Sequence, residues 1–554
     1  MKNNTKMTDN KNRFTPLLMS LCVVIGIVIG SFYANHFSGN RLNIISNGSN
    51  KLSNLLHIID DQYVDKVDMD SLVEKAIPQI LAELDPHSVY IPAADVEKAT
   101  DELKGSFTGV GIEFTIRQDT IHVQNVIKNG PAEKAGIIAG DMIIAVDGKK
   151  FVGKIVTEDE AKHRLLGQKG TKVKITVKRF GHAKPITYTV TRGEIPTKTI
   201  TATYMLDENT GYIKVNSFGE KTYPELLIAL ADLSQQGFSN LVIDLRDNVG
   251  GYMQSAVQMA NEFLPKGKLI VYMEGRKQPR KEFRTDGHGA YQKIPLVILI
   301  NEETASAAEI FSGAMLDNDR ATIIGRRSFG KGLVQQQIPF PDGSMIRLTI
   351  ARYYTPSGRC IQKPYVNGED ENYAQDLLTR YQRGEYFSQD SIKHTGPAYH
   401  TGLGRIVYGG GGITPDIFVA EDTANVTSYY KQAILSGLIL QYAYTYTDNN
   451  RAKMKQFQKM LDLAKYLEKQ NLVGDFVDYA DHRGLQRRNL LIRKSYTLLD
   501  RFINSRIIYN MLDEQALYEY LNQDDPAITM ALKVFRDHAA FPKAPAKKAA
   551  TKKR

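Results

Sequence analysis

The chain has 554 residues, 42% of them hydrophobic and 24% charged. This ordinary globular composition excludes a disordered or fibrous chain, and the length exceeds what one core usually organises. The formal net charge of +10 does not point to nucleic acid: Lys543, Lys547, Lys548, Lys552, Lys553 and Arg554 supply six of the basic groups within the last dozen residues, interleaved with alanine and proline as in a solvated tail.

At the N-terminus, Phe14 to Ala34 carries no charge and is rich in Leu, Val and Ile. At about 1.5 Å per residue it is long enough to cross a ~30 Å hydrocarbon layer. Lys2, Lys6, Lys11 and Arg13 precede it against Asp9 alone, which predicts a cytoplasmic N-terminus and an exported remainder. An uncleaved anchor is the main expectation and a signal peptide ending at Ala34 the alternative. Cys22 lies inside this run and Cys360 is the only other cysteine, so the exported part forms no internal disulfide.

From Leu52 to Thr100, apolar residues at helical spacing (Leu72, Val73, Ala76, Ile77, Ile80, Leu81) predict two or three short helices ending at Leu84-Asp85-Pro86-His87-Ser88. Five stretches with β-branched alternation follow, Gly109 to Ile116, Thr120 to Val126, Asp141 to Asp147, Thr171 to Arg179 and Ile186 to Thr191, with a helix near Glu158 to Leu166. They predict a compact β-rich module. From Glu194 to Ala420, the apolar strands Asn240 to Leu245, Leu296 to Ile300, Ala321 to Ile324 and Met345 to Ala351 alternate with the helical stretches Met253 to Phe263 and Ala305 to Leu316. That alternation predicts an α/β domain with a largely parallel core. Beyond Glu421 the pattern turns helical, with Phe457, Met460, Leu461, Ala464 and Leu467 on one face. The expected organisation is 1–36 cytoplasmic stub and anchor, 37–99 helical, 100–193 β-rich module, 194–420 α/β core, 421–540 helical domain and 541–554 basic tail.

Ser306 stands where a strand turns into a helix, and the helix N-terminus offers donor N–H groups and a positive dipole to a developing oxyanion. The competing role is that Thr304 or Ser306 simply caps the helix. Lys331 follows the strand Ala321 to Ile324, flanked by Gly330 and Gly332. A lysine serves as general base to a serine only when burial lowers its pKa, and glycine flanks let the backbone turn it inward. A plain loop lysine is the competing reading. Gly325-x4-Gly330-Lys331 nearly matches a phosphate-binding loop, but Gly332 replaces the hydroxyl that would hold magnesium. Ser328-x-x-Lys331 nearly matches a β-lactamase motif, yet its glycines disfavour the helix required, and no Lys-Thr-Gly follows. No Gly-x-Ser-x-Gly elbow occurs, and His288, His394 and His400 lie in polar loop-like sequence. Lysine is therefore a better candidate base than histidine. Neither a His-Glu-x-x-His nor a paired-cysteine metal signature is present.

The run Thr304-Ala-Ser306-Ala-Ala-Glu, followed by Ser328-Phe-Gly-Lys331-Gly-Leu-Val-Gln335 with the lysine twenty-five residues after the serine, closely resembles the carboxyl-terminal processing (tail-specific) serine proteases. The resemblance implies a nucleophile at Ser306, its base at Lys331, and Gln335 orienting the lysine. Val242-Ile-Asp-Leu-Arg246-Asp247-Asn248-Val-Gly250-Gly251 matches the family's strand and glycine turn, which implies an oxyanion hole from Gly251, with Gly250, and Ala307. The β-rich module resembles a PDZ domain through Thr108-Gly-Val110-Gly111-Ile112 and Gly130-Pro-Ala-Glu-Lys-Ala-Gly136. Such domains add a peptide C-terminus as an extra strand, which implies a carboxylate site at Gly109, Val110, Gly111 and Ile112. The resemblance spans roughly Leu52 to Val419. It implies a multidomain α/β fold, a ClpP/crotonase-like protease core with an inserted PDZ domain, between an N-terminal helical segment and a C-terminal helical domain. It implies no cofactor or metal, protein or peptide substrates with a free C-terminus, no nucleic acid partner, membrane attachment through the N-terminal helix, and a homo-oligomer or adaptor as further partners. A bacterial inner membrane, with the catalytic part in the periplasm, is the expected setting. The contrasting reading is a non-catalytic or chaperone-like PDZ scaffold of the cell envelope. Ala308 departs from the family where many members carry a second serine, and the helices beyond Glu421 lie outside its pattern.

Overall fold

The computed structural model describes residues 23–26 and 48–544, apart from 105, 118, 180–181, 369 and 395. The expected anchor at Phe14 to Ala34 therefore lies outside the described residues but for Val23–Gly26, and most of the basic tail lies outside them too. Among the described residues no helix is long and apolar enough to cross a membrane. The chain forms two units, 1–77 and 78–554. The first holds the helix Gly48–Gln62 and the opening turns of Met69–Ala82.

At the centre of the second unit is a six-stranded sheet in the order Ile200–Met205, Thr210–Val215, Asn240–Asp244, Leu296–Ile300, Thr322–Gly325, Ile417–Phe418. The first pair is antiparallel and the rest parallel. The parallel strands read as continuous apolar runs because both faces are covered. Ile213, Leu241, Ile243, Leu296, Ile298 and Ile323 face the helices Thr222–Gln235, Met253–Asn261 and Ala307–Asp317. The alternate residues Tyr212, Val242, Val297, Leu299 and Ile324 face the opposite way, onto Ala527, Ile528, Ala531, Val534 and Phe535.

That second cover comes from the last helix, Pro526–Arg536, so the end of the helical region expected at 421–540 packs on the central sheet. An amphipathic helix shows which of its faces is buried but not which surface covers it. The remaining C-terminal helices, Ser428–Leu435 through Glu514–Leu521, pack around their own core of Tyr429, Tyr442, Leu463, Phe476, Leu499 and Ile507. In the helix Met460–Leu467, Met460, Leu463, Ala464 and Leu467 are buried, whereas Leu461, expected on the same face, is 54% exposed. The helix Glu514–Leu521 lies against the edge strand Ile200–Met205, where Gln515 Oε1 accepts from the Thr203 N–H at 3.4 Å. An exposed edge is thereby blunted.

The strand Met345–Tyr354, expected in the parallel core, belongs to a second, antiparallel sheet with Val89–Ile91, Leu269–Glu274, Lys281–Arg284 and Leu333–Pro339. Apolar alternation identifies a strand without saying which sheet receives it. In the β-rich module the run expected from Gly109 to Ile116 is broken. Ser106–Gly109 pairs with Gly193–Pro196, and after Gly111 turns at φ +79, Ile112–Arg117 becomes the edge of the module's main sheet.

Candidate active site

Three neighbouring strands of the parallel sheet, Asn240–Asp244, Leu296–Ile300 and Thr322–Gly325, end on the same side of the molecule. Ligand sites in open α/β sheets gather at such carboxyl ends. The loops leaving these three strands carry Gly250 and Gly251, Ser306, and Lys331 respectively.

The loops are stitched together by polar side chains. Thr304 Oγ1 donates to the Leu245 carbonyl at 2.8 Å. Asn301 Nδ2 donates to Asp247 Oδ1 at 2.7 Å while its Oδ1 accepts from the Asp247 N–H at 2.9 Å. The half-buried Ser306 takes the N-cap position of Ala307–Asp317 at φ 55, ψ −117. A side chain in this sparsely populated region costs on the order of 1–3 kcal/mol and persists only where its surroundings hold it. Here Glu309 Oε2 accepts from the Ser306 N–H at 2.9 Å, the Ala305 N–H donates to the Asn248 carbonyl at 2.9 Å, and Tyr353 Oη donates to the Ser306 carbonyl at 3.0 Å.

Glu309 does more than cap its helix. Fully buried, it also accepts from Ser328 Oγ at 2.5 Å, from the Gly330 N–H at 2.7 Å and from the Lys331 N–H at 2.8 Å. Burial pushes its carboxyl up to about 7, against these donors, which favour the ionised form. One carboxylate oxygen thus receives the backbone N–H of both Ser306 and Lys331, holding the two backbones side by side. Tyr353 adds a second tie, its hydroxyl sharing a single proton between the Lys331 carbonyl at 2.5 Å and the Ser306 carbonyl at 3.0 Å. Neither Glu309 nor Tyr353 was singled out in the sequence. The spacing of Glu309 from Ser306 is that of a capping box, a signal that explains only half of what it does.

Lys331 Nζ donates to Gln335 Oε1 at 3.2 Å, and Gln335 Nε2 donates to the His87 carbonyl. Burial, then the charge of Arg347, lower the Lys331 ammonium below its ordinary range, opposed by Asp85 and Glu309. Burial, then Lys331, also bring His87 down to about 4, so its ring is neutral near pH 7. It lies edge-on to Tyr373 and within 2.9 Å of its hydroxyl.

The glycine turn presses on the serine. A Cβ on Gly250 would meet Ser306 Cβ and the Ala305 carbonyl at 2.7 Å, and one on Gly251 would meet the Phe218 carbonyl at 2.1 Å. The Gly250 N–H is already donated to Asn248 Oδ1 at 2.8 Å, which corrects the expectation that Gly250 offers a donor to an oxyanion. Among the described residues, the N–H groups of Gly251 and Ala307 have no partner. A hydroxyl at a helix N-terminus, a buried amine and two free N–H groups can together carry acyl transfer.

In the β-rich module, Gly109 packs against Leu166, where a Cβ would come within 2.9 Å. The Val110 and Gly111 carbonyls accept from Ala132 and Ile127, while the N–H groups of Val110 and Gly111 have no partner among the described residues. Tyr509 of the C-terminal helices donates to Glu113 Oε2 on this edge strand at 2.8 Å. Asn216 of the central sheet's side donates to Glu514 at 3.1 Å, and Arg246 to Asp525 at 2.7 Å.

Comparison with known proteins agrees with this layout. Residues 209–370 match the peptidase family S41, residues 108–190 match the PDZ domain, and residues 429–513 match a family of unknown function. The chain is similar to the carboxy-terminal-processing protease of Bartonella bacilliformis, 39% identical over 56% of this chain and 72% of that one. It is similar to the carboxy-terminal processing protease CtpA of Bacillus subtilis, 37% identical over 58% and 70%. Among solved structures, the photosystem II D1 C-terminal processing protease is 30% identical over 57% of this chain and 90% of that one, at a TM-score of 0.33. The sequence relationship, not that superposition, carries the assignment: the chain belongs to the carboxy-terminal processing serine proteases of peptidase family S41, with a PDZ domain.

Proposed function

We propose that this protease captures the free C-terminus of a protein in its PDZ groove and cleaves nearby, with Ser306 as nucleophile and Lys331 as its base. Ser306 Oγ attacks the scissile carbonyl while Lys331, neutral, takes its proton. The oxyanion is met by the N–H groups of Gly251 and Ala307, and Lys331 returns the proton to the leaving amine. Gln335 accepts one N–H of Lys331 and so turns the amine's lone pair away from itself. The observation that carries this reading is the Glu309 carboxylate gripping the backbones of Ser306 and Lys331 together.

The unpartnered N–H groups at Val110 and Gly111, beside the edge strand Ile112–Arg117, support capture of a terminal carboxylate with Gly109 and Ile112 completing the turn. The uncharged run Phe14 to Ala34 with basic residues before it supports a single-pass anchor in a bacterial inner membrane, with the protease facing the periplasm.

The test is cleavage of an unstructured protein, with a free or an amidated C-terminus, by the full-length chain in detergent. Wild type should cut and amidation should slow it, while Ser306→Ala and Lys331→Ala should each lose about 10³-fold or more. Equal cutting by all three forms would sink the dyad, and indifference to amidation would sink the carboxylate site.

A further inference from the structure

Asp85 lies far from Lys331 in sequence and makes no direct hydrogen bond to it, yet it organises the support on which Lys331 depends. It is 6% exposed and folds the segment after helix Met69–Ala82 into a tight turn. Its Oδ1 accepts from the His87 N–H at 3.0 Å, the Ser88 N–H at 3.1 Å and Thr349 Oγ1 at 3.0 Å. Its Oδ2 accepts from Ser88 Oγ at 2.5 Å, and Ser88 Oγ in turn accepts from the Thr349 N–H at 3.1 Å. The turn is thus pinned to the strand Met345–Tyr354 at Thr349, the residue directly opposite Gln335 on Leu333–Pro339. Pinned there, the turn points the His87 carbonyl at Gln335 Nε2.

That contact settles which way the carboxamide faces. Lys331 Nζ approaches one end of Gln335 as a donor, and a carbonyl, which only accepts, meets the other end. The amide nitrogen must therefore face His87 and the oxygen Lys331. Without the His87 carbonyl, the amide is free to rotate and offer Lys331 its N–H₂ instead, which would repel the ammonium and compete for the amine's lone pair.

We propose that Asp85 is a positioning residue for proton transfer, acting through the His87 carbonyl and Gln335 to aim the Lys331 amine at Ser306. The inference rests on Lys331 being the base.

The groups facing Lys331 are Asp85, His87, Glu309 and Arg347. Of these, Asp85 and Glu309 favour its protonated form and Arg347 disfavours it. Asp85 therefore has two separable effects, one through the shape of the turn and one through its charge. Alanine removes both, whereas asparagine keeps an acceptor for the turn and removes the charge.

The experiment measures kcat and KM for one peptide between pH 6 and 10 with full-length wild type, Asp85→Ala, Asp85→Asn and Lys331→Ala, each checked for folding by its thermal transition. Asp85→Ala should lower kcat about tenfold or more with KM within about twofold, as expected for a misplaced catalytic group. Asp85→Asn should recover most of that loss and shift the rising limb of the kcat profile to lower pH, because an amine freed from a nearby anion gives up its proton more readily. A folded Asp85→Ala enzyme with wild-type kcat, beside an inactive Lys331→Ala, would overturn the positioning role while leaving the dyad standing. So would equal losses in both Asp85 variants with no shift in the pH limb, which would mark a purely structural turn. Activity retained in Lys331→Ala would instead remove the dyad reading, and the inference with it.

Discussion

The carboxyl end of the central sheet and the helical region around residues 429–513 are built on opposite terms. At the sheet end, backbone conformations that side chains normally avoid are held in place by polar groups: Ser306 at φ 55, Gly250 and Gly251 in the left-handed region, and a fully buried carboxylate with four donors. The helical region holds itself with buried apolar residues at helical spacing, and Phe476 and Leu499 are wholly buried in its core. Order at the first site is maintained by specific partners, so single changes there should alter chemistry before stability. In the second, single changes should alter stability and leave chemistry alone.

The comparison breaks most visibly if a core substitution in the helical region disturbs catalysis directly. Phe476→Ala should cost about 3–5 kcal/mol of stability by leaving a cavity, read from denaturant unfolding. Its kcat measured well below the transition should match wild type. A lowered kcat in the folded variant would show that the helices reach the site by more than support. Glu309→Gln tests the other side. An amide oxygen cannot serve four donors, and its NH₂ opposes the backbone N–H groups now met by the carboxylate. Loss of about 1–3 kcal/mol of stability is expected, together with a fall in kcat of at least about tenfold, since Ser306 and Lys331 lose their shared anchor.

How far these regions were readable from the sequence follows the same division. Local pattern alone left Ser306 open as a helix cap and Lys331 as a loop lysine, and it was the resemblance of two short runs to a known family that pointed to Ser306, Lys331 and Gln335. Glu309 went unremarked because its partners beyond the first turn, Ser328 to Lys331, return to it through a strand and a loop. The Asp85 turn looked like a helix end for a similar reason, its partners Thr349 and Gln335 lying some 250 residues on. In the helical region, periodicity located the helix at Met460–Leu467 but placed Leu461 on the buried side. Periodicity also could not say that Pro526–Arg536 covers the central sheet rather than its neighbours. Local pattern reports what a segment is, and only tertiary packing reports what it meets.

His87 sharpens the account through pH. Its folded pKa of about 4 lies below the ordinary 6.5, so the unfolded chain binds more protons between those values. Stability therefore rises with pH across that window and is lost as pH falls through it. Thermal transitions should drop between pH 6.5 and 4, and less steeply in His87→Gln. The smallest effect expected is at Tyr509→Phe, which removes one hydrogen bond between the helical region and the PDZ edge strand. It should cost about 1 kcal/mol in denaturant unfolding, and no loss would mean that bond adds nothing to holding the two regions together.

The most direct measurement is covalent labelling of the full-length protein by a serine-directed fluorophosphonate, with the adduct located by peptide mass and its rate followed from pH 6 to 10. The account predicts an adduct on Ser306 that forms faster as pH rises, along one ionisation lying below that of a free lysine, and that nearly vanishes in Lys331→Ala. Labelling of Ser306 at equal rates with and without Lys331, or an adduct on another serine alone, would contradict it.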